Sequence, residues 1–369
     1  MSKELLYQIA LTMVDGIGNN LAKNLISYCG SAKAVFKENK HVLQKIPGIG
    51  SLTAEKVSNF KAFDVVENEI EKLEKHKIKP IYYLDKAYPY RLRNCDDGPV
   101  MMYYKGNADL NENRMISIVG TRKSTLYGKQ FTDELMEALK PFDVTVLSGL
   151  ALGIDTYAHK NAVKHQVKTI GVLGHGFHTI YPASNRELAI EMMKNGGLLT
   201  EYLFDMPGNK ENFPQRNRIV AGMSDAIIVV ESSIKGGSLI TADLGNQYNR
   251  DVYALPGKLT DQSSLGCNQL IHDHKAAIIN NVQGLIRDLG YDIQKKENTE
   301  KQLSLLEPLT EQEQKVYDYL KTGEKGIDDL HYHTNINVSH LALILLDLEF
   351  RHVIKPLPGK TYTLFHAMK

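Results

Sequence analysis

The central block of the chain, from about residue 113 to residue 290, alternates short apolar segments with segments of helical pattern. The apolar segments predict strands at residues 115–119, 144–148, 169–173, 198–202, 226–231, 251–255 and 277–279. The helical patterns between them include residues 128–140, 156–164, 186–194 and 239–249. This alternation indicates a parallel sheet with helices on both faces. Ligands of such sheets bind beyond the carboxyl ends of the strands, so functional residues are expected there.

Length and charge balance limit the classes of function. At 369 residues the chain suits two or three domains. Lys and Arg number 44, Asp and Glu number 43, and 43% of the residues are hydrophobic, with a formal net charge of +1. These values exclude a disordered tail protein and a broadly basic nucleic-acid coat protein. If the protein binds a polyanion, a local cluster of cations must provide the binding.

Cysteine usage and the N-terminus indicate the compartment. Cys29, Cys95 and Cys267 lie far apart and form no CxxC pair. This fits a reducing cytosol and neither a disulfide framework nor a cysteine zinc site. The N-terminal residues contain no apolar run long enough for a signal peptide or a membrane span. We therefore expect a cytoplasmic protein with no membrane partner.

An internal repeat near the N-terminus relates residues 16–28 to residues 48–60. In each copy a Gly-x-Gly turn precedes a helical pattern, and the apolar positions of the two helices coincide. The repeat resembles the helix-hairpin-helix motif, whose hairpin amides bind a DNA phosphate in many repair proteins. Two interpretations stay open: weak contact with duplex DNA, or glycine turns that only close a helical hairpin.

The C-terminal part of the chain has the order of elements of a winged helix. A polar segment at residues 293–308 is typical of a linker. Helices are predicted at residues 309–320, 326–334 and 337–357, followed by a hairpin that closes at residues 359–365. The third helix is mostly apolar and acidic where a DNA-reading helix carries Arg, Lys, Asn or Gln. A packing or protein-interaction role therefore fits this unit at least as well as DNA reading.

The first strand of the central block is followed by Gly120, Thr121, Arg122 and Ser124. Gly120 permits close approach of the backbone, and two hydroxyls and a guanidinium precede a helix. Amides at a helix N-terminus together with Arg form a standard anion-binding arrangement. The alternative is that Arg122 serves as a structural cap or ion-pair donor.

The second strand repeats this theme with Ser148 and Gly149, and Asp155 follows. We expect Asp155 to cap the next helix or to orient His159. No strand carries the glycine-rich dinucleotide fingerprint with an acid about 20 residues later, so no NAD or FAD cofactor is predicted.

A further candidate site interleaves cations with an aromatic ring at Lys210, Phe213, Arg216, Asn217 and Arg218. In single-stranded nucleic acid binding, cations contact phosphates and bases stack on such rings. The alternative places Phe213 in the core and uses one or both arginines as helix caps.

The fifth strand leads through Glu231 to Gly236, Gly237 and Ser238, a loop before a helix that is suited to cradle phosphate. No Walker A sequence, nucleophile–base pair or metal-ligand spacing accompanies these loops. We therefore predict no catalytic residues, no metal and no cofactor. Several anion sites on one sheet edge indicate a binder of a repeating polyanion.

Eight strings in this order resemble the DNA-processing protein A (DprA, or Smf) family. They are VGTRKSTLYG, SGLALGIDTYAH, LGHGFHTIYPASN, LLTEYLF, FPQRNRIVAG, VVESSIKGGSLITA, ALPGK and GCNQLI. The resemblance implies an α/β fold: an extended Rossmann-like parallel sheet core, an N-terminal helical domain (helix-hairpin-helix, SAM-like) and a C-terminal winged-helix domain. We place these domains at residues 1–63, 64–292 and 309–369, in the order helical domain, core and winged helix, with a linker at 293–308.

Carried over by position, the family's phosphate pocket falls on Gly120, Thr121, Arg122, Ser148, Gly149, Gly237 and Ser238. The cation and aromatic residue before the RNR string fall on Lys210 and Phe213, and the string itself is Arg216, Asn217 and Arg218. The chain departs from the family at residues 272–277, where HDHKAA replaces the usual continuation to a Gly-Ala pair. This departure leaves open what the loop contributes to the pocket or to a dimer surface.

The resemblance implies a homodimeric single-stranded DNA-binding recombination mediator. Such a protein protects incoming DNA and loads RecA onto it during natural transformation (competence), and it is not an enzyme. The alternative is a Rossmann-type enzyme that binds or cleaves nucleotides, with Glu231 working beside the glycine-rich loop. No glutamate follows that loop, which weakens this alternative.

Overall fold

The computed structural model describes residues 3–291, 309–351 and 353–365, so the predicted linker at 293–308 lies outside the described residues. The helices are α1 Lys3–Met13, α2 Asn19–Cys29, α3 Ala32–Val35, α4 Lys40–Leu43, α5 Ser51–Ser58, α6 Phe63–Lys75, α7 Tyr90–Arg93, α8 Leu126–Leu139, α9 Ile154–His165, α10 Arg186–Met192, α11 Asn212–Gly222, α12 Gly237–Gln247, α13 Leu265–His272, α14 Val282–Asp288, α15 Glu311–Leu320, α16 Ile327–Thr334 and α17 Val338–Phe350. The strands are β1 Lys79–Tyr82, β2 Met101–Gly106, β3 Met115–Gly120, β4 Thr145–Ser148, β5 Lys168–Val172, β6 Gly196–Thr200, β7 Ala226–Glu231, β8 Asp251–Ala254, β9 Ala277–Ile278, β10 Lys325–Gly326, β11 Ile354–Leu357 and β12 Thr361–Leu364.

Nine strands form one sheet in the order β1-β2-β6-β5-β4-β3-β7-β8-β9. β2 pairs antiparallel with β1 and β6, and all the other neighbours are parallel. Along β7, Ile227 and Val229 enter one hydrophobic cluster, whereas Ile228 and Val230 enter another. Since successive side chains of a strand point to opposite faces, both faces of the sheet are buried. The predicted α/β fold with a mostly parallel sheet is confirmed.

Strand β6 begins two residues before the predicted segment at 198–202 because two glycines belong to it. A Cβ atom on Gly196 would lie 1.9 Å from the Thr169 carbonyl oxygen, and one on Gly197 would lie 2.4 Å from the Tyr104 ring. Glycine is depleted in strands in general, so the pattern alone starts the strand too late. Here the missing side chains let neighbouring groups approach the backbone.

The sequence analysis also missed helix α11, which carries the candidate residues from Phe213 to Arg218. Pro214 stands in its first turn, where proline costs no intrahelical hydrogen bond. Because proline within a segment normally argues against a helix, the sequence pattern did not predict one here.

The N-terminal repeat forms two helix-hairpin-helix units, as predicted. Gly16 and Gly48 turn the chain with φ of +81° and +83°, a backbone conformation that favours glycine. Ala22 and its repeat partner Ala54 are both buried. Their hydrophobic cluster also includes residues from α6, β1 and β2, so the helical repeat packs continuously onto the edge of the sheet.

The C-terminal unit is a winged helix, as predicted, although its third helix is shorter than expected. α17 ends at Phe350 instead of continuing to residue 357, because Ile354 begins strand β11 and pairs with Leu364 of β12. The unit contacts the core through two ion pairs, Arg114–Glu324 at 3.1 Å and Arg250–Asp328 at 3.4 Å.

Candidate nucleic-acid interface

A cleft of about 280 Å³ opens beyond the carboxyl end of β3, between α11 and the loop that precedes α12. It brings together ten of the fourteen predicted site residues: Gly120, Thr121, Arg122, Lys210, Phe213, Arg216, Asn217, Gly236, Gly237 and Ser238. Val119, Ala151, Asp155, Pro214, Ser233, Ile240 and Thr241 complete its lining. The cleft therefore lies beyond the carboxyl ends of the strands, where ligand-binding residues were expected.

Two exposed cations lie in the cleft. Arg122 and Lys210 are both solvent-exposed, and neither takes part in an ion pair within the part of the chain that the structure describes. The guanidinium of Arg122 lies 6.0 Å from the centroid of the Phe213 ring. A cation without an internal partner keeps its full charge and its donors for a ligand.

The N-terminus of α12 supplies backbone donors to the same cleft. Its N-cap is Gly236, which has no side-chain cap, and a Cβ atom on Gly237 would meet nothing within 4 Å. The first amides of a helix have no partner within the helix and carry the positive end of its dipole. Ser238 is buried and donates its hydroxyl proton to the Ser232 hydroxyl at 2.9 Å, which fixes the loop. The arrangement is suited to bind a phosphate oxygen.

Arg216 lines the cleft but is a buried structural group. Its guanidinium donates to the carbonyl oxygens of Gly149, at 2.5 Å, and of Val172. Burial lowers the pKa of Arg216, and the nearby Asp155 carboxylate partly opposes this effect. A Cβ atom on Gly149 would lie only 2.3 Å from the guanidinium, so a larger residue here would displace the Arg216 side chain. Arg216 thus joins the ends of β4 and β5.

Four predicted residues do not line the cleft: Ser124, Ser148, Gly149 and Arg218. Ser148 is buried and donates to the Ile118 carbonyl at 2.6 Å. Arg218 forms an ion pair with Glu201, and both side chains are nearly buried. The alternative interpretation made these arginines helix caps. In the structure both lie on α11 and bond elsewhere, Arg216 to the strand-end carbonyls and Arg218 to Glu201, so they are internal contacts and not helix caps.

Asp155 neither caps α9 nor bonds to His159, contrary to our expectation. The N-cap of α9 is Gly153, and the Asp155 carboxylate accepts the Gly149 amide at 3.0 Å. Burial raises the pKa of Asp155, while Arg216 and the hydrogen bonds lower it. Asp155 thus reaches back to the preceding loop because Gly153, with φ of +79°, turns the chain sharply before the helix.

Phe213 is half-buried and forms one wall of the cleft. One edge packs on Gly174, whose Cβ would lie 2.9 Å from the ring, and Tyr181 lies 5.6 Å away between centroids. The ring is therefore held in place from one side while it lines the cleft from the other. An aromatic ring beside cations in a cleft is one of the elements with which proteins bind single strands.

Glu231 is buried at the end of β7 and bonded to the start of α8. Its carboxylate accepts the Thr125 amide at 3.0 Å and the Thr125 hydroxyl. A Cβ atom on Gly128 would lie 2.6 Å from the carboxyl carbon, so the helix packs directly on this group. These contacts occupy both oxygens of the acid named in the enzyme alternative.

Thr241 and Ser233 line the cleft and were missed in the sequence analysis. Thr241 stands four residues after Gly237 on α12, hence on the same helix face one turn later. Helical periodicity counted from Gly237 could have identified it.

Among the residues that the structure describes, no group of three or more His, Cys, Asp or Glu side chains is placed to hold a metal ion. The helices of these same segments include none with the length and apolar character needed to cross a membrane.

Buried His159 on α9 makes stability sensitive to acid. Thr169 donates its hydroxyl proton to the Val146 carbonyl, so the His159 Nδ1–H donates to the Thr169 oxygen at 2.7 Å. The other ring nitrogen is buried with no hydrogen-bond partner, and burial, aided by the charge of Arg216, lowers the pKa of His159 to about 3.

We expect His159→Leu to reduce the loss of stability in acid. In the unfolded chain His159 binds a proton near pH 6.5, whereas in the folded protein it binds one only near pH 3. The free energy of unfolding therefore falls as the pH drops below 6.5. Between pH 7 and about pH 4.5 the wild-type protein should lose about 2 to 3 kcal/mol more than the variant. Urea unfolding of both proteins at the two pH values measures this difference, and equal losses would contradict the assignment.

Comparisons with known proteins agree with the fold. The sequence profile of DNA recombination-mediator protein A matches residues 79–290, that of the SAM-like helix-hairpin-helix tandem matches residues 9–59, and that of the DprA winged helix domain matches residues 300–360. A protein named Smf from Synechocystis is 35% identical over 300 residues, which cover 78% of this chain and 73% of that protein. DNA processing protein DprA of Bacillus subtilis is 40% identical over 202 residues, 54% of this chain and 68% of that protein.

Two solved structures are similar. DNA processing protein A from Streptococcus pneumoniae superposes with a TM-score of 0.67 at 30% identity, covering 76% of this chain and 97% of that chain. DNA processing protein A from Helicobacter pylori, described for its single-stranded DNA binding mode, has a TM-score of 0.53 at 31% identity over 58% of this chain and 96% of that chain. Together with the profile match over the whole sheet, these relatives confirm the family resemblance seen in the eight strings. The chain belongs to the DNA recombination-mediator protein A family.

Proposed function

We propose that this protein binds single-stranded DNA in the cleft between α11 and α12. Arg122 and Lys210 hold phosphates, the amides of Gly237 and Ser238 hold a further phosphate oxygen, and Phe213 stacks with a base. The observation that carries the proposal is that two cations with no ion pair among the described residues share one cleft with the N-terminus of α12, in a chain of net charge +1. A DNA processing protein A with a single-stranded DNA binding mode has a similar structure.

The other predicted residues act in this proposal by holding the cleft in shape. Arg216 fixes the β4 and β5 ends, Ser148 and Gly149 fit beneath it, and Arg218 ties α11 to Glu201. Ser124 lies in the loop between β3 and α8, and Asn217 lines the cleft and accepts the Arg216 Nε–H at 3.2 Å. Their substitution changes DNA binding through the geometry of the cleft.

The proposed cellular role is that of a homodimeric mediator that loads RecA onto incoming single strands during transformation, in the cytoplasm. Family membership and the cleft support it, since a mediator must hold a strand without reading its sequence. The rate of RecA assembly on protein-coated oligo-dT tests this role. Acceleration by the wild-type protein is expected, together with loss of that acceleration in the Arg122→Ala, Lys210→Ala variant.

A nucleotide-cleaving enzyme is the weaker alternative because both Glu231 oxygens bond to Thr125. Incubation with nucleoside monophosphates separates the two functions. Release of free base would contradict the mediator, and no release is expected.

Gly237→Asp and Gly237→Asn form an isosteric pair that tests the helix N-terminus as a phosphate site. Both side chains have room, since a Cβ atom here meets nothing within 4 Å, and an acid in the first turn suits the helix dipole. We expect the Asp variant to bind fluorescent oligo-dT about tenfold more weakly than the Asn variant, although its thermal stability is no lower. Equal affinities in fluorescence anisotropy would remove this end of α12 from the site.

A further inference from the structure

The winged-helix unit contacts the core through α16 and the turn between β11 and β12, and no hydrogen bond or ion pair joins α17 to the core within the part of the chain that the structure describes. Asp328 at the start of α16 pairs with Arg250, and the Gly359 amide in the turn between β11 and β12 donates to Asp251. The second helix of the unit, α16, and its wing, the turn between β11 and β12, thus both contact the sheet domain.

The exposed side of α17 carries a stripe of large apolar side chains. Leu343, Leu346 and Phe350 are 64%, 49% and 75% exposed. Their spacing of three and seven residues places them on one face of the helix. Beside Leu343, a groove of about 460 Å³ runs between α15 and α17. Isolated exposed apolar residues are common, but a continuous stripe beside a groove marks a binding surface.

The margins of this stripe are acidic. Asp347 and Glu349 flank it on α17, and Glu311 and Glu313 face the groove from α15. Only Lys315 and Arg351 oppose these four carboxylates among the described residues there, through pairs with Glu311, Glu313 and Asp347. The excess negative charge repels phosphate and disfavours a second copy of the same surface.

We propose that α17 and the groove beside it bind a basic amphipathic helix of a partner protein. Leucine-like side chains of the partner fill the groove and cover Leu343 and Phe350, and its Lys or Arg residues meet the acidic margins. This surface lies on a different domain from the DNA cleft, so the chain could hold a strand and a protein partner together.

The test uses the full chain and a probe peptide of about 18 residues, made of Leu and Lys with the leucines at helical spacing. We expect saturable binding in fluorescence anisotropy, weakened about 30-fold by Leu343→Ser with Phe350→Ser and about threefold by Glu311→Lys. Leu259→Ser replaces a side chain of the sheet domain that is 82% exposed. It is the matched control and should leave the affinity for the peptide unchanged. A peptide of the same composition in scrambled order should not bind.

Three results would overturn the proposal. The first is no saturable binding of the amphipathic peptide by the wild-type chain, or equal binding by the Leu343, Phe350 variant. The second is a wild-type dimer in sedimentation that this double variant converts to monomer, which would assign the stripe to a second copy. The third is oligonucleotide binding that depends on Leu343 and Phe350.

Discussion

Replacing both Arg122 and Lys210 by alanine is expected to weaken oligo-dT binding roughly 100-fold, since loss of about 1.4 kcal/mol per charged contact multiplies Kd tenfold. Both side chains are exposed in the cleft and neither forms an ion pair within the described segments. Removing them should therefore change the free energy of unfolding by no more than about 0.5 kcal/mol. Fluorescence anisotropy with a salt series measures the effect.

The salt series separates this site from general electrostatic attraction. Each phosphate contact on a single strand contributes about 0.7 to the slope of log K against log salt, so the slope should fall by about 1.4 in the double variant. Lys140→Ala removes one positive charge at the other end of α8, beyond the opposite edge of the sheet, and is the matched control for each single substitution. A similar loss of affinity in Lys140→Ala would show that net charge, rather than the cleft, governs binding.

Replacing Arg216 by leucine is expected to lower the free energy of unfolding by about 3 kcal/mol and, as a consequence, to weaken DNA binding. The substitution leaves the Gly149 and Val172 carbonyls without their donor and the buried Asp155 carboxylate without the nearby positive charge. Urea unfolding in the absence of DNA measures the first effect. Arg122→Ala, which removes an exposed arginine from the same cleft, should unfold like the wild-type protein.

Arg216→Lys extends this test because it retains the charge but not the fork that reaches two carbonyls. We expect an intermediate stability, with an affinity for oligo-dT that follows the stability. An Arg216→Leu protein as stable as the wild type, yet with affinity lost as in Arg122→Ala, would mean that Arg216 contacts DNA directly.

These two arginines show what the sequence could and could not predict. Residue types after strands β3 and β7 were enough to predict that these residues lie together, because strand ends meet at one edge of a parallel sheet, and they line one cleft. The same reasoning grouped Arg216 and Arg218 with Arg122, although both are buried in internal contacts. Pro214 concealed helix α11 in the sequence pattern. Because α11 is a helix, Arg216 and Arg218, two residues apart, lie on different faces, and Arg216 contacts Gly149 while Arg218 contacts Glu201.

The burial of acidic side chains is the second feature that could not be predicted from the sequence pattern. By residue type alone, Asp155 in the first turn of α9 and Glu231 at the end of β7 are both candidates for a catalytic site. Their roles depend on loop geometry, since Gly153 turns Asp155 back to the Gly149 amide and Gly128 lets α8 pack on Glu231. The approach of α8 to Glu231 depends on distances between segments far apart in the chain, and the Asp155 contact depends on the local turn at Gly153.

The most direct test of the proposed DNA site is a crystal structure of the chain with bound oligo-dT. Phosphate oxygens should lie within hydrogen-bond distance of the Arg122 guanidinium and of the Gly237 and Ser238 amides, with a base against the Phe213 ring. An oligonucleotide bound elsewhere on the protein, with this cleft unoccupied, would contradict the account.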